Sequence, residues 1–326
     1  MNNYKVISRI GEGAHGVVLS AESLITGETV ALKKVPLKRL EDGIPLTMLR
    51  EIKTLQHLES RHVVRLLDVF PQGPGFVLVF EHMVTDLAEI LRDAARPLLP
   101  AQVKRYMQSL LRGTGFLHAH GVVHRDLKPA NLLISAGGAL KLADFGLSRV
   151  LDRGRLYSHQ VATRWYRAPE LLYGARKYDH GVDLWAVGCI FGELLNSSPI
   201  FRGDNDIDQL LVVLKTLGSP SEETWPGMSQ LPDFNKIPFP EFRSAGVDVL
   251  FPEAPPEAVD LVRRFLVYRS DTRLAARAAL LQPYFHCAPA PAVDAEMPLE
   301  PPAVDRIVAD FHRQMARLRE GEDDEL

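Results

Sequence analysis

Short apolar bursts, separated by glycine and proline, fill much of the first quarter of the chain. They lie in residues 4–35 and 63–81, and alternating or short apolar runs of this kind are typical of antiparallel strands. Between them, leucine and isoleucine recur at helical spacing, which predicts one helix over residues 44–58 lying on the sheet. The pattern therefore predicts a small lobe built from a sheet and one helix.

Helical patterns dominate from residue 86 onward. Residues 103–120 and 182–195 are the clearest, and the second is apolar on most sides, which predicts a buried helix. Prolines concentrate later and mark a loop-rich insert near residues 219–255 and a spacer over residues 289–302. An apolar stripe over residues 304–318 predicts an amphipathic helix, and the acidic end at 322–325 predicts a solvated tail.

The length of the chain predicts more than one folded unit. At 326 residues it exceeds the size at which single cores stop growing. We predict an α+β fold with two lobes. Residues 1–81 form the small sheet lobe, residues 82–286 a larger, mainly helical lobe, and residues 287–326 a proline-rich spacer, a helix and an acidic tail.

The amino-acid composition narrows the possible classes of protein. The 38 Lys plus Arg and 41 Asp plus Glu nearly cancel, which argues against nucleic-acid or membrane binding through bulk charge. Cys189 and Cys287 are too few for a disulfide framework or zinc cluster, and polar residues follow Met1 where a signal segment would be apolar. Apolar runs fall short of the ~18 residues of a membrane span. We expect a cytoplasmic or nuclear protein that is a monomer without a partner.

Residues 124–131 read His-Arg-Asp-Leu-Lys-Pro-Ala-Asn, and Asp144-Phe-Gly follows them. Pro129 disfavours helix at the preceding residue, so this stretch is predicted to be a loop leading into a strand at 132–134. Phosphoryl transfer needs an aligned hydroxyl, metal ions and fixed positive charge. Asp126 would take the hydroxyl proton and Lys128 would steady the phosphate, while Asn131 and Asp144 would hold Mg²⁺. Any one of these residues alone is an ordinary turn former; the set together predicts a site.

Residues 11–18, here called the glycine loop, carry glycines at 11, 13 and 16 and resemble a phosphate loop, because bare backbone lets amides approach phosphate oxygens. The alternative is a dinucleotide-binding turn, which needs a helix directly after the third glycine. A strand follows here, since residues 17–22 and 29–35 with a turn at 26–27 predict a hairpin. The glycines are therefore predicted to cover phosphates as a flap, the arrangement found in kinases.

Lys33 shares one face of its predicted strand with Ala31 and Val35. A lysine here either extends to the surface or has a buried partner. Glu51 on the predicted helix can be that partner, so that the ammonium reaches nucleotide phosphates when the helix is swung inward. Arg50, about 100° round the helix, must point elsewhere.

The apolar strand at residues 75–81 ends in a polar connector. Backbone groups of Glu81 and Met83 would bond an adenine edge and Phe80 would limit the depth of its pocket, although plain core strand is the alternative. The predicted ligands are ATP and Mg²⁺. The predicted nucleotide-binding residues are Ile10, Gly11, Glu12, Gly13, Ala14, His15, Gly16, Val17, Val18, Ala31, Lys33, Phe80, Glu81, Met83 and Leu133.

Residues 144–170, here called the switch segment, contain hydroxyls that could carry phosphate. Arg50, Arg125 and Arg149 each sit beside a residue that the site must position, and three converging guanidiniums need an anion. We predict that phosphorylated Ser158 collects them and orders the switch segment. The alternative is three solvated arginines.

These motifs resemble eukaryotic protein kinases over residues 4–286, and Lys128 is similar to the serine/threonine class. Residues 165–170 and the insert resemble the group of cyclin-dependent and mitogen-activated kinases. The resemblance implies that Thr163 and Arg167 select proline after the acceptor, so that substrates carry Ser/Thr-Pro sites. It also implies that Glu170 pairs with Arg273 and that Asp183 holds the loop of residues 124–131, here called the catalytic loop, unless Asp183 is a helix cap.

The glycine loop and residues 40–43 and 155–163 look most like the cell-cycle-related kinase branch of cyclin-dependent kinases. That branch is linked to cell-cycle control and cilium length, so the resemblance adds the cilium to the cytoplasm and nucleus as an expected location. Ala14 and His15 stand where many of these kinases have Thr and Tyr, so inhibitory phosphorylation there is expected to be absent. Residues 45–51 depart from the usual cyclin-reading sequence, which leaves a cyclin-like activator on the 44–58 helix open. An upstream activating kinase is also expected.

Two rival functions remain at this point. A chain that resembled the mitogen-activated kinases would carry a Thr-x-Tyr pair in the switch segment, and Tyr157-Ser158 does not match that pair. A kinase-shaped scaffold would bind partners without catalysis. The complete set of Lys33, Glu51, Asp126, Asn131 and Asp144 argues against the scaffold.

Overall fold

The computed structural model describes residues 3–13, 16–36, 46–73, 75–152 and 154–299. The predictions for Ala14, His15, residues 40–43, the amphipathic helix at 304–318 and the acidic end at 322–325 lie outside these residues. Residues 44 and 45 of the predicted helix do so too.

The small lobe is an antiparallel sheet with strand order β1-β2-β3-β5-β4. Its strands are β1 (Tyr4–Gly13), β2 (Gly16–Ser23), β3 (Thr29–Pro36), β4 (Leu66–Gln72) and β5 (Gly75–Glu81). Helix α1 (Leu46–His57) packs on it through Met48 and Leu55, which are buried. The predicted strands, hairpin and helix are confirmed. Strand β3 lies at the centre of the sheet, where Lys33 is paired with Val18 on one side and Leu78 on the other.

Alternation along β3 and β5 divides the apolar residues of the small lobe between two faces. Val30, Leu32, Val77 and Val79 join Ala21 in a cluster of their own. Ala31, Leu78 and Phe80 belong to the main core instead. Because successive strand side chains point to opposite faces, Lys33 shares the face of Ala31.

The large lobe is mainly helical among the described residues. Its helices are α2 (Leu87–Arg92), α3 (Pro100–Ala119), α4 (Pro169–Leu172), α5 (Gly181–Asn196), α6 (Asp206–Leu217), α7 (Pro256–Phe265) and α8 (Ala276–Ala279). Short strands pair as β6 (Thr85–Asp86) with β8 (Leu132–Ile134), β8 with β9 (Leu140–Leu142), and β7 (Val122–Val123) with β10 (Arg149–Val150). The predicted helices at 103–120 and 182–195 are α3 and α5, and the predicted α+β bilobal fold is confirmed.

Side chains at the helix ends explain where several helices begin. The Asp86 carboxylate accepts the amide of Glu89 at 3.0 Å and caps α2. Asn205 caps α6 through the amides of Ile207 and Asp208, at 3.0 and 2.9 Å. Helix α5 is buried along nearly its whole length, as predicted, and its Trp185 stacks on Phe201 with ring centroids 5.8 Å apart.

The prediction of a spacer is corrected over residues 289–299, where the chain packs along α3. The buried Lys104 ammonium donates to the carbonyl oxygens of Cys287 and Pro289 at 2.6 and 2.8 Å. The Ala292 amide donates to the Ala101 carbonyl at 2.9 Å, and Arg105 pairs with Asp294. The proline content predicts an extended chain, but it does not show that the carbonyls of this chain bind the buried Lys104.

None of the helices in the described residues is both long enough and apolar enough to cross a bilayer.

Candidate active site

A cleft of about 800 Å³ opens beneath the sheet, between the two lobes. Most of the predicted nucleotide-binding residues line it, namely Ile10, Gly11, Gly16, Val18, Ala31, Lys33, Phe80, Glu81, Met83 and Leu133. The side chain of Glu81 bonds Lys141 at 2.7 and 2.6 Å, which is compatible with the prediction that this residue uses its backbone toward a ligand.

The prediction for Val17 is corrected. Val17 pairs with Lys34 and lines a shallow apolar groove elsewhere on the small lobe, whereas its neighbour Val18 lines the cleft. Strand alternation requires this, since adjacent side chains cannot share a face. Of the other predicted loop residues, Glu12 and Gly13 form the end of β1, where their backbones pair with Val17 and Gly16.

Gly16 shows why the loop needs a glycine at this position. Its φ is 129°, and a Cβ built there would lie 1.9 Å from the carbonyl oxygen of Lys34. Only a residue without a side chain fits this backbone. The hairpin can therefore fold tightly over the mouth of the cleft.

Sequence reasoning missed several residues of the cleft wall. Val64, Asp86 and Ala143 all line it. Ala143 could have been found from its place directly before Asp144, just after the end of strand β9. Val64 carries no local signal, because it reaches the wall through a long-range bond from its amide to the Leu142 carbonyl, 2.9 Å long.

The predicted contact between Lys33 and Glu51 is present. The ammonium donates to both carboxylate oxygens of Glu51, at 2.8 and 2.9 Å, and lies 3.7 Å from the Asp144 carboxylate. Burial disfavours the charged ammonium, but the two carboxylates outweigh it and hold the pKa of Lys33 above its ordinary value. Helix α1 is thus in the inward position, with a charged lysine in the cleft.

Asp183 holds the catalytic loop from the buried helix α5. Its carboxylate accepts the backbone amides of His124 and Arg125, each at 2.8 Å, and lies 2.9 Å from the His118 ring. Burial alone would raise the pKa of Asp183, but the hydrogen bond and charge of His118, the charge of His124 and the Arg125 amide hold it below the ordinary value. The helix-cap alternative fails because His180 is the residue that precedes α5.

Four predicted residues meet in one hydrogen-bond network around Asp126. One carboxylate oxygen of Asp126 accepts the amide and hydroxyl of Thr163, at 2.9 and 3.0 Å. The other accepts from the Asn131 amide group and lies 3.0 Å from the Lys128 ammonium. Lys128 also donates to the Thr163 hydroxyl at 2.8 Å. The carboxylate is therefore fixed at the floor of the cleft.

The donor set beside Asp126 fits a hard cation such as Mg²⁺. The Asn131 side-chain nitrogen is committed to two acceptors on Asp126, at 2.7 and 3.0 Å, so its carbonyl oxygen is the atom that can coordinate. Asp144, whose φ is 60°, also lines the cleft. No cluster of three or more His, Cys, Asp or Glu side chains suited to a metal occurs in the described part of the chain. Few protein ligands, completed by phosphates and water, are typical of Mg²⁺.

The three predicted arginines converge. Burial, and then the charges of Arg125 and Arg50, lower the pKa of Arg149 to about 10, and the pKa of Arg50 is lowered by burial and then by Arg125. Arg125 is buried and donates to the carbonyl of Leu147 and to the Tyr178 hydroxyl. Ser158 is exposed nearby. Like charges held this close destabilise one another, so an anion bound among the three arginines would stabilise the cluster.

Arg167 turns two carbonyls of the switch segment inward. Its guanidinium donates to the carbonyls of Val161 and Ala162, at 2.9 and 3.0 Å. Ala162 adopts a left-handed φ of 64°, which is costly for alanine. The predicted pair of Glu170 and Arg273 is also present, with two bonds of 2.7 and 2.8 Å.

Comparisons with known proteins agree with this geometry. The family model of the protein kinase domain matches residues 4–285. Cyclin-dependent kinase 20 of Danio rerio is 60% identical over 92% of this chain and 88% of its own length, and that of Homo sapiens is 59% identical over 92% and 87%. Cyclin-dependent kinase D-1 of Oryza sativa subsp. indica is 45% identical over 91% of this chain and 70% of its own length.

A solved structure is similar over nearly the same span. A chain in the structure of the CAK complex from Chaetomium thermophilum bound to ATP-gamma-S has a TM-score of 0.85 and 36% identity, and the match covers 91% of this chain and 95% of that one. Fold and site together are those of a protein kinase. The chain belongs to the cyclin-dependent kinase family of serine/threonine protein kinases. These relatives favour that family over the mitogen-activated kinases, and catalysis over a scaffold.

Proposed function

We propose that the chain transfers the γ-phosphate of ATP to a serine or threonine hydroxyl that proline follows. The observation that carries this is the Asp126 network, in which Thr163 and Lys128 fix the carboxylate opposite the Lys33–Glu51 pair. Asp126 accepts the proton of the acceptor hydroxyl, and Lys128 places positive charge beside it. Lys33, charged and anchored by Glu51, binds nucleotide phosphate.

Mg²⁺ would be held by Asp144 and Asn131, where it supplies positive charge to the phosphates. Asp126 keeps Asn131 in the orientation that presents its oxygen. The apolar wall of Val18, Ala31 and Leu133 would enclose the adenine, with Phe80 at its inner end.

Selection of proline follows from Arg167. Because the carbonyls of Val161 and Ala162 are turned toward its guanidinium, they are not offered to a bound peptide. A substrate residue whose amide met this surface would lose its hydrogen bond on binding. Proline has no amide hydrogen and avoids that cost.

We also propose that the chain is regulated, and located in the cell, as its family resemblance implies. Phosphorylated Ser158 would neutralise the cluster of Arg50, Arg125 and Arg149, and an upstream kinase would add that phosphate. A cyclin-like partner on α1 would hold Glu51 against Lys33, in keeping with the solved relative, whose structure is that of a complex. The cytoplasm, the nucleus or the cilium is the proposed compartment, with a role in cell-cycle or cilium-length control.

The activity is tested with two peptides that differ only in carrying Ser-Pro or Ser-Ala. Full-length chain, alone and with proteins captured from cells, is incubated with ATP and Mg²⁺. We expect transfer to Ser-Pro at least about tenfold above Ser-Ala. Asp126→Asn should lower kcat by about a hundredfold or more, while Asp260→Asn, which changes a partly exposed carboxylate on α7 that does not line the cleft, should not. Equal transfer to both peptides would defeat proline selection, and full activity of Asp126→Asn would defeat the assigned base.

The phosphosite is tested by comparing fully phosphorylated chain with Ser158→Ala. Phosphate stoichiometry is read by intact mass. We expect the phosphorylated chain to be the more active, since the anion removes repulsion among the arginines. The same activity in both proteins would rule out this role for Ser158.

A further inference from the structure

Two tyrosines hold the switch segment beside the arginine cluster before any phosphate is present. The Tyr178 hydroxyl accepts from the Arg125 guanidinium at 2.7 Å and donates to the backbone carbonyl of Ser158 at 2.7 Å. One hydroxyl therefore links the residue next to the catalytic Asp126 to the residue that would be phosphorylated. Both bonds use its full capacity as one donor and one acceptor.

Tyr157 supports the same link from within the switch segment. Its hydroxyl accepts the Asp152 amide at 2.7 Å, and its own amide donates to the Arg176 carbonyl at 2.8 Å. Its ring lies 6.0 Å from the Arg125 guanidinium carbon and 5.7 Å from the Tyr178 ring. The buried Tyr157 thereby packs the segment on the same arginine that Tyr178 bonds.

We propose that Tyr178 is a positioning residue, whose hydroxyl ties the Ser158 backbone to Arg125 and keeps the switch segment in place in the unphosphorylated chain. The inference rests on the proposed function, because it assumes Ser158 as the phosphosite. Phosphate then adds to an arrangement that already exists. The unphosphorylated enzyme keeps measurable activity, and the gain on phosphorylation is smaller than it would be without the hydroxyl.

The test compares Tyr178→Phe in two backgrounds. Ser158→Ala cannot be phosphorylated but keeps the backbone carbonyl that Tyr178 bonds, so it isolates the link. In that background we expect Tyr178→Phe to lower kcat/KM for the Ser-Pro peptide by about tenfold, as expected for two lost hydrogen bonds. In the fully phosphorylated chain, where the phosphate holds the arginines, we expect a loss below about twofold.

Tyr268→Phe is the matched control, since it removes one buried hydroxyl bond, to the Gly218 carbonyl at 2.6 Å, elsewhere in the large lobe. It should change both backgrounds alike. Hydrogen exchange of residues 157–163 gives a readout that needs no catalysis, and Tyr178→Phe should speed it in the Ser158→Ala chain only.

An equal effect of Tyr178→Phe in both backgrounds, or none in either, would overturn the proposal. Failure of the proposed function looks different. In that case phosphorylated wild-type chain would not transfer phosphate to the Ser-Pro peptide at all, whatever the exchange data show.

Discussion

Several buried charged side chains of the large lobe have more than one partner. Asp183 accepts two backbone amides and lies against His118, while Arg273 bonds both oxygens of Glu170 and the carbonyls of Val267, Tyr268 and Gly181. A buried charge with full pairing costs little, but it becomes costly when one partner is removed. These residues therefore fix the geometry around the switch segment and catalytic loop.

Arg273→Met is predicted to destabilise the chain by about 3–5 kcal/mol, because it leaves the buried Glu170 carboxylate unpaired. Urea unfolding measures this. The control is Arg263→Met, whose partner Asp248 is exposed, and it should cost less than about 1 kcal/mol. Adding Glu170→Leu to Arg273→Met should recover part of the loss. Equal costs for the two arginines would contradict the argument.

Local motifs predicted several of the side chains that meet in the cleft, because spacing along a loop or strand determines which side chains come together. Alternation placed Lys33 toward the cleft, and the same rule, not applied to the glycine loop, would have excluded Val17. Val64 could not be predicted, since it enters the wall only through pairing with β9. The Tyr178 link likewise joins residues far apart in sequence and carries no pattern.

At the scale of elements, helix α3 binds the residues that follow the predicted end of the kinase lobes at residue 286. Lys104, on its buried face, binds two carbonyls of the C-terminal segment 287–299 and lies 5.0 Å from the centre of the Tyr284 ring. Further along, the side-chain amide of Gln102 donates to the Glu296 backbone carbonyl at 2.8 Å. The segment thus covers α3 through polar contacts that an apolar pattern does not show.

Lys104→Met is predicted to lower the free energy of unfolding by about 1–3 kcal/mol, because two carbonyls lose their donor while the side-chain volume is nearly kept. Hydrogen exchange in residues 287–299 should accelerate more than in α5. The control is Lys236→Met, which breaks an exposed pair with Asp233 and should change neither measurement. Unchanged exchange in the segment would show that Lys104 does not hold it.

Contacts between the lobes join them on more than one side of the cleft. Lys33 and Asp144 face each other across it, and Lys141 of β9 pairs with Glu81 at the end of β5. Next to that pair, the His62 carbonyl accepts the Leu142 amide at 2.9 Å, and the His62 backbone and side chain pack against Gly113 of α3. His62 therefore lies where the small lobe, β9 and α3 meet.

Stability of the whole molecule is predicted to fall between about pH 6.5 and pH 4 through His62. Burial, and then the charges of Arg61, Arg112 and Arg105, lower the pKa of His62 from 6.5 to about 4, against the opposing charge of Asp294. Between these pH values the unfolded chain binds a proton at His62 that the folded chain does not bind. The stabilisation gained by keeping His62 neutral is therefore complete above pH 6.5 and is lost as the pH falls to 4. Since the ring is only half-buried, we expect the free energy of unfolding to fall by about 1 kcal/mol.

Urea unfolding at pH 7 and pH 5 should show a smaller drop in the free energy of unfolding for His62→Asn than for wild type. His286→Asn, an exposed histidine, should keep the wild-type drop, and parallel curves for all three proteins would refute the assignment.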